Sequence, residues 1–216
     1  MNTIKIDFVS DIACPWCAVG LASLEQAISR VKDTVNVELH FQPFELNPQM
    51  GPEGEDVTEH LVRKYQISPE QVAQNQARIA ERGAAVGFTF NHRKRIVNTF
   101  DAHRLLHWAQ VEGEQGAQHR LKRAMLEAYF TAGEDPSRHE VLLDVVERAG
   151  LDRARAAQLL SGDEFAHEVR QQEQLYLAQG INSVPSVIIN ERYLVQGGQP
   201  VDMFEQALRQ VAQSEE

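Results

Sequence analysis

Cys14 and Cys17 are the only cysteines of the 216-residue chain, and they stand together in the stretch Asp11-Ile12-Ala13-Cys14-Pro15-Trp16-Cys17. Two thiols cannot make a disulfide framework. In a reducing compartment such a pair points to redox catalysis or metal binding. It falls just after a predicted strand and just before a predicted helix. Unpaired N–H groups and the positive dipole end of a helix start stabilise an anion, and a thiolate is one. In that setting a Cys-x-x-Cys thiol falls from a pKa near ~8.5 to roughly 3.5–7.5. Pro15 suits the first helical turn, where its missing N–H removes no bond. Cys17 then follows Cys14 by one helical turn on the same face. The expected chemistry is thiol–disulfide exchange. Cys14, the exposed thiol, attacks a partner disulfide; Cys17, more buried, attacks the mixed disulfide and releases the partner.

Other uses of these thiols compete. A Cys2His2 metal site would need His103 and His107, spaced i, i+4 on a predicted helix, because one Cys-x-x-Cys supplies only two ligands. An inert structural pair is a second alternative. A third is a single-thiol, glutathione-type site in which Cys17 is incidental. Among the neighbours, Asp11 is expected to accept N–H bonds at the helix start; raising the thiol pKa by its charge, or relaying a proton, are its alternative roles. Trp16 reads equally as a substrate contact over the site and as a packed lid. Val184-Pro185 opens a later strand, where a proline by itself needs no functional explanation.

The elements that must position these groups fall into three zones. Ile4–Val9 and Val35–Phe41 alternate as strands, with apolar residues at helical spacing over 18–28 between them, which gives β-α-β. From about 56 to 179 no strand is expected. Helices are predicted near 56–65, 69–86, 98–112, 115–132, 138–149, 152–160 and 163–179, bounded by start and stop residues such as Ser68-Pro69 and Gly113. Residues 184–190 and 192–195 read as strands flanking a turn at Asn190-Glu191, before a last helix over 200–212. The tail Ser214-Glu215-Glu216 is expected to fray. The fold class is therefore α/β. A discontinuous sheet-bearing domain is expected over 1–47 and 180–216, with a helical insertion over 48–179.

Composition bounds the setting. Apolar residues make up 43% and charged residues 24%, ordinary for a globular chain able to bury a core. The net charge of -10 argues against nucleic acid or anionic lipid as a partner. No stretch reaches the ~18 apolar residues of a membrane span. The N-terminus lacks the pattern of a secretory signal, so a cytoplasmic location is expected.

Four stretches carry a resemblance: DFVSDIACPWCAVG, FQPFELNP, NTFDAHRLLHWA and GINSVPSVIINERYLVQGGQPVDMFEQAL. Together they span essentially the whole chain. It resembles the DsbA-like thioredoxin family, in the branch of the FrnE-type oxidoreductases, related to 2-hydroxychromene-2-carboxylate isomerases and kappa-class glutathione transferases. The resemblance implies a thioredoxin fold with a large all-helical insertion and a cis-Pro185 that sets the Val184 backbone beside Cys14 to pair with an extended substrate. It also implies that Asn98 and His103 line the active-site cleft from the helical insertion, against the plainer reading that Asn98-Thr99 cap a helix. The loop Gln196–Pro200 is implied to lie near the cysteines. The isomerase and transferase relatives usually carry serine at the nucleophile position; two thiols favour redox chemistry. Expected partners are a disulfide- or dithiol-containing protein or a small thiol such as glutathione, in the role of co-substrate, with no resident cofactor and no metal. Relatives are often homodimers. The Pro-aromatic pair resembles that of glutaredoxins, which implies a reduction potential above that of thioredoxin. Glutathione-dependent isomerisation or transfer, and a non-enzymatic redox sensor, are the rival functions.

Overall fold

The computed structural model describes residues 2–214; Glu215 and Glu216 of the predicted fraying tail lie outside the described residues. The first strand, β1 (Asn2–Ser10), is followed by α1 (Pro15–Val31) and β2 (Val35–Pro43). β1 and β2 pair in parallel, with Ile6 opposite Leu39 and Phe8 opposite Phe41, as a β-α-β crossover requires. The chain returns to this sheet with β5 (Ser186–Ile189) and β6 (Tyr193–Gln196), and closes with α9 (Val201–Ser214). The order is β2-β1-β5-β6. β1 is central, and Ile4, Ile6, Phe8 and Val9 are fully buried. The β5–β6 turn sits at Asn190 and Glu191, with φ of 48° and 57°, and is closed by the Arg192 N–H donating to the Ile189 carbonyl at 3.1 Å.

Between the two halves of the sheet come α2 (Val57–Tyr65), α3 (Pro69–Ala85), α4 (Phe100–Val111), α5 (Ala117–Leu126), α6 (His139–Arg148), α7 (Arg153–Leu160) and α8 (Ala166–Ala178). α4, α5 and α8 pack against β2, and α3 against α1. One apolar core therefore runs from Phe8 and Leu24 to Leu105, Met125 and Phe130.

Several boundaries differ from the sequence reading. The region read as strand-free contains a two-stranded sheet of β3 (Glu55–Asp56) and β4 (Arg95–Ile96). Two-residue strands have no room for an alternating pattern to show. The predicted helix over 115–132 ends at Leu126 and continues as a π turn over Glu127–Thr131. The predicted start at 98 moves to Phe100, because Asn98 Oδ1 accepts the Phe100 N–H at 2.9 Å. The predicted start at 163 moves to Ala166, because Phe165 takes a φ of 61°.

Candidate active site

β1 delivers the chain to a tight turn over Asp11–Ala13, and Cys14 is the N-cap of α1 with Pro15 behind it. No side chain caps this helix start; the Cys17 N–H donates to the Cys14 carbonyl at 3.1 Å. No disulfide joins the two cysteines in this structure. A hydrogen bond from the Cys17 thiol lowers the Cys14 pKa; burial opposes it, and the Cys17 and Trp16 N–H groups add to the lowering. Cys17 moves the other way: burial first, then the neighbouring Cys14 sulfur, push its thiol well above the ordinary value. The two thiols are thus displaced in opposite directions, as a nucleophile and a resolving group require. Cys14 is not the exposed thiol expected from sequence. It is 4% exposed, against 0% for Cys17, because the helices between the two halves of the sheet cover it.

Asp11 does not cap α1. Its Oδ1 accepts the Ala13 N–H at 3.1 Å and the Thr99 hydroxyl at 2.8 Å, and its Oδ2 accepts the Leu46 N–H at 2.7 Å. His103 Nε2 stands 3.5 Å from Oδ1, an electrostatic contact too long for a good hydrogen bond. Burial pushes the Asp11 carboxyl up, but His103 and these donors outweigh it and hold the group below the usual range.

The Val184–Pro185 peptide is cis, and the Cys14 thiol donates to the Val184 carbonyl at 3.6 Å. Close packing of glycines makes this approach possible. A Cβ on Gly20 of α1 would stand 3.0 Å from Pro185 Cγ, and one on Gly198 would stand 2.9 Å from the Trp16 carbonyl. The Gln196–Pro200 loop therefore lies against the motif. Trp16 is half-buried, with the Arg82 guanidinium 5.9 Å from its ring centre, and Arg82 also donates to the Gly198 carbonyl at 3.2 Å.

Cys14, Pro15, Trp16 and Val184 line one wall of a cleft of about 790 Å³, and α2 and α3 form the other. Lys64, Arg78 and Arg93 line it too, while the carboxylate among its lining residues, Glu45, is paired with Arg170. Arg93 donates to the Ala13 carbonyl at 3.0 Å and stacks on Phe130 at 4.8 Å. The cleft is positive in a chain of net charge -10.

Asn98 and His103 are not among the residues that line this cleft. Asn98 donates to the Met50 carbonyl at 3.1 Å besides holding the start of α4, and His103 is buried behind Asp11. Two further histidines have placed roles: His60 lines the cleft and contacts Glu55 at 2.5 Å, and His119 contacts Glu25 at 2.5 Å. Among the described residues no group of three or more His, Cys, Asp or Glu side chains could hold a metal ion. No helix of the described residues is long and apolar enough to cross a membrane.

The sequence pattern of the DSBA-like thioredoxin domain matches residues 5–209. The chain belongs to this family. Among solved structures, a probable DsbA oxidoreductase from Streptomyces coelicolor is 33% identical, with a TM-score of 0.88 over 99% of this chain and 91% of that one. A curated relative, the uncharacterized protein YwbO of Bacillus subtilis, is 27% identical over 95% of this chain and 96% of its own. Two more distant structures share the fold. One is a 2-hydroxychromene-2-carboxylate isomerase, 15% identical at a TM-score of 0.72 over 98% of this chain and 97% of that one. The other is the cytosolic disulfide reductase DsbM of Pseudomonas aeruginosa, solved with GSH, 16% identical at a TM-score of 0.63 over 97% and 99%. As a DsbA-like protein with two adjacent thiols, the chain is an enzyme of the oxidoreductase or isomerase kind.

Proposed function

We propose that the protein is a thiol–disulfide oxidoreductase that cycles between the Cys14–Cys17 disulfide and the dithiol. The Cys14 thiolate attacks a partner disulfide in the cleft. Cys17 then attacks Cys14 and releases the partner thiolate. The observation that carries the reading is the placement of the pair: Cys14 is the N-cap of α1 with its sulfur 3.6 Å from the Val184 carbonyl, and Cys17 lies fully buried one turn behind it, with burial pushing the Cys17 thiol up. A glutathione-dependent isomerase needs one reactive sulfur and gives no task to a second thiol held protonated behind it. Lys64, Arg78 and Arg93 favour an anionic partner, either an acidic peptide segment or a small thiol such as glutathione.

The test is the redox equilibrium of the pair in glutathione buffers, read by alkylation and mass spectrometry. Reversible loss of two hydrogens supports the dithiol cycle, at a potential above the roughly −270 mV of thioredoxin. A lasting glutathione adduct without an internal disulfide moves the assignment to the isomerase or transferase. Cys17→Ser separates the same two: it traps mixed disulfides in an oxidoreductase and leaves a single-thiol activity intact.

A further inference from the structure

The acidic side chains around the cleft beside Cys14 are already matched. Glu45 is taken by Arg170, and Glu55 of β3 by His60 and Arg63. Lys64, Arg78 and Arg93 of the lining are left over, and they are not equivalent. Lys64 is exposed, and its Nζ donates to the Leu46 carbonyl at 2.8 Å and to Asn47 Oδ1 at 2.7 Å; it holds the loop after β2. Arg78 is exposed on α3, where solvent and salt screen its charge.

Arg93 is half-buried and fixed. Its Nη1 donates to the Ala13 carbonyl at 3.0 Å, and its guanidinium lies 4.8 Å from the ring centre of Phe130 and 5.1 Å from that of Tyr129. The Ala13 carbonyl belongs to the peptide group that ends on the Cys14 nitrogen. One hydrogen bond and one peptide therefore separate this cation from the residue that attacks. No carboxylate pairs with Arg93 among the described residues: Asp11 is engaged by Ala13, Leu46 and Thr99, and Asp135 by Ser137. A guanidinium is a rigid fork of N–H donors that matches a carboxylate. Arg93 also lines a second cavity of about 330 Å³, walled by Ala77, Phe90 and Phe130, and both spaces share Pro15 and Ile79. Against such apolar walls a charge pair is screened less than in water.

We propose that Arg93 is a specificity-determining residue: it takes a carboxylate that the partner carries next to the sulfur attacked by Cys14. The inference deepens the thiol–disulfide reading above and rests on it. The preferred partner is a disulfide with an acidic group within about one residue of its sulfur. Aspartate or glutamate beside the cysteine of a protein meets that description, and so does the carboxylate of a small thiol. Because Ala13 and the two rings already hold the guanidinium, binding does not have to order it.

Ellman's reagent carries a carboxylate on each ring, and its diamide carries none. With either, the first equivalent of released thiolate marks attack by Cys14. The ratio of the two first-phase rates cancels any change in the Cys14 sulfur itself. R93M should lower that ratio by at least about fivefold. R93K should lower it by less, because a point charge keeps the attraction and loses the fork. R78M should have a smaller effect than R93M, one that about 0.5 M salt removes. A smaller fall in R93M, or a fall in R78M as large as that in R93M, overturns the proposal. Should R93M not fold, the wild type decides at about 0.5 M salt: its ratio should exceed that of free N-acetylcysteine amide by at least about fivefold, and a lesser excess overturns the proposal. Two further disulfides tell the sources apart. A protein side chain is the ligand where R93M abolishes the preference for an end-blocked peptide with Glu beside its Cys over the Gln peptide. A small thiol is the ligand where R93M abolishes the preference for oxidised glutathione over its ester. Loss of neither preference overturns the proposal. The dithiol reading is tested apart from this: a wild type that releases one equivalent and forms no internal disulfide overturns that reading, while the first-phase ratio still tests Arg93.

Discussion

The Thr99 hydroxyl donates to Asp11 Oδ1 at 2.8 Å, across 88 residues of sequence and inside the core. The turn that carries the cysteines is thereby tied to the start of α4. With Leu46 N–H on the other oxygen, the turn is fixed from two directions.

Removing that donor should be costly. Thr99→Val leaves a buried carboxylate oxygen short of one partner, at about 1–3 kcal/mol. Urea unfolding at pH 7 checks it, and a change below a few tenths would show that the bond does not hold the turn.

Asp11→Asn should act on both stability and reactivity. The Asp11 carboxyl is held below its ordinary value, so its stabilisation is present above the unfolded value of about 3.9 and fades as pH falls through the folded one. The stability gap between wild type and Asp11→Asn should therefore shrink in acid. The Asp11 charge raises the Cys14 pKa, so the variant's iodoacetamide alkylation profile should move to lower pH. A profile that stays put or moves upward would contradict the assigned sign.

Cys14 should alkylate with a midpoint below the free-thiol value of about 8.5. Cys17→Ala removes the hydrogen bond that lowers Cys14 most, and the midpoint should rise. Cys17 itself, in Cys14→Ala, should stay unreactive at pH values where Cys14 is fully labelled.

Gly20→Ala places a methyl group 3.0 Å from Pro185 Cγ. Packing this tight gives little, so a loss of about 1–3 kcal/mol is expected, with slower attack by Cys14 as α1 shifts away from Val184. Thermal unfolding and the first phase with Ellman's reagent measure the two effects.

Arg82→Ala removes the cation over Trp16 and a bond to Gly198. A cost of about 1 kcal/mol is expected. Trp16 fluorescence should shift to the red, because Trp108, 4% exposed, does not change its surroundings.

The sheet and most helices were legible because their patterns are strong: Ile4–Val9 and Val35–Phe41 alternate, and Gly113 and Ser68-Pro69 mark helix ends. The thiol pair was legible from spacing alone. What could not be read is how the helical segments fold over the motif. That packing buries Cys14, turns Asp11 from the helix start toward Leu46 and Thr99, and withdraws Asn98 and His103 from the cleft.

The pairing of β1 with β5, Phe8 opposite Val187, has a consequence for the order in which the protein becomes reactive. Cys14 meets Val184 across 170 residues, so on the ribosome the motif emerges long before the strand that completes its surroundings. Until then Cys14 lacks the Val184 carbonyl that faces it in the finished site. The distant second half of the sheet thus completes the surroundings of Cys14 only when nearly all of the chain has been made.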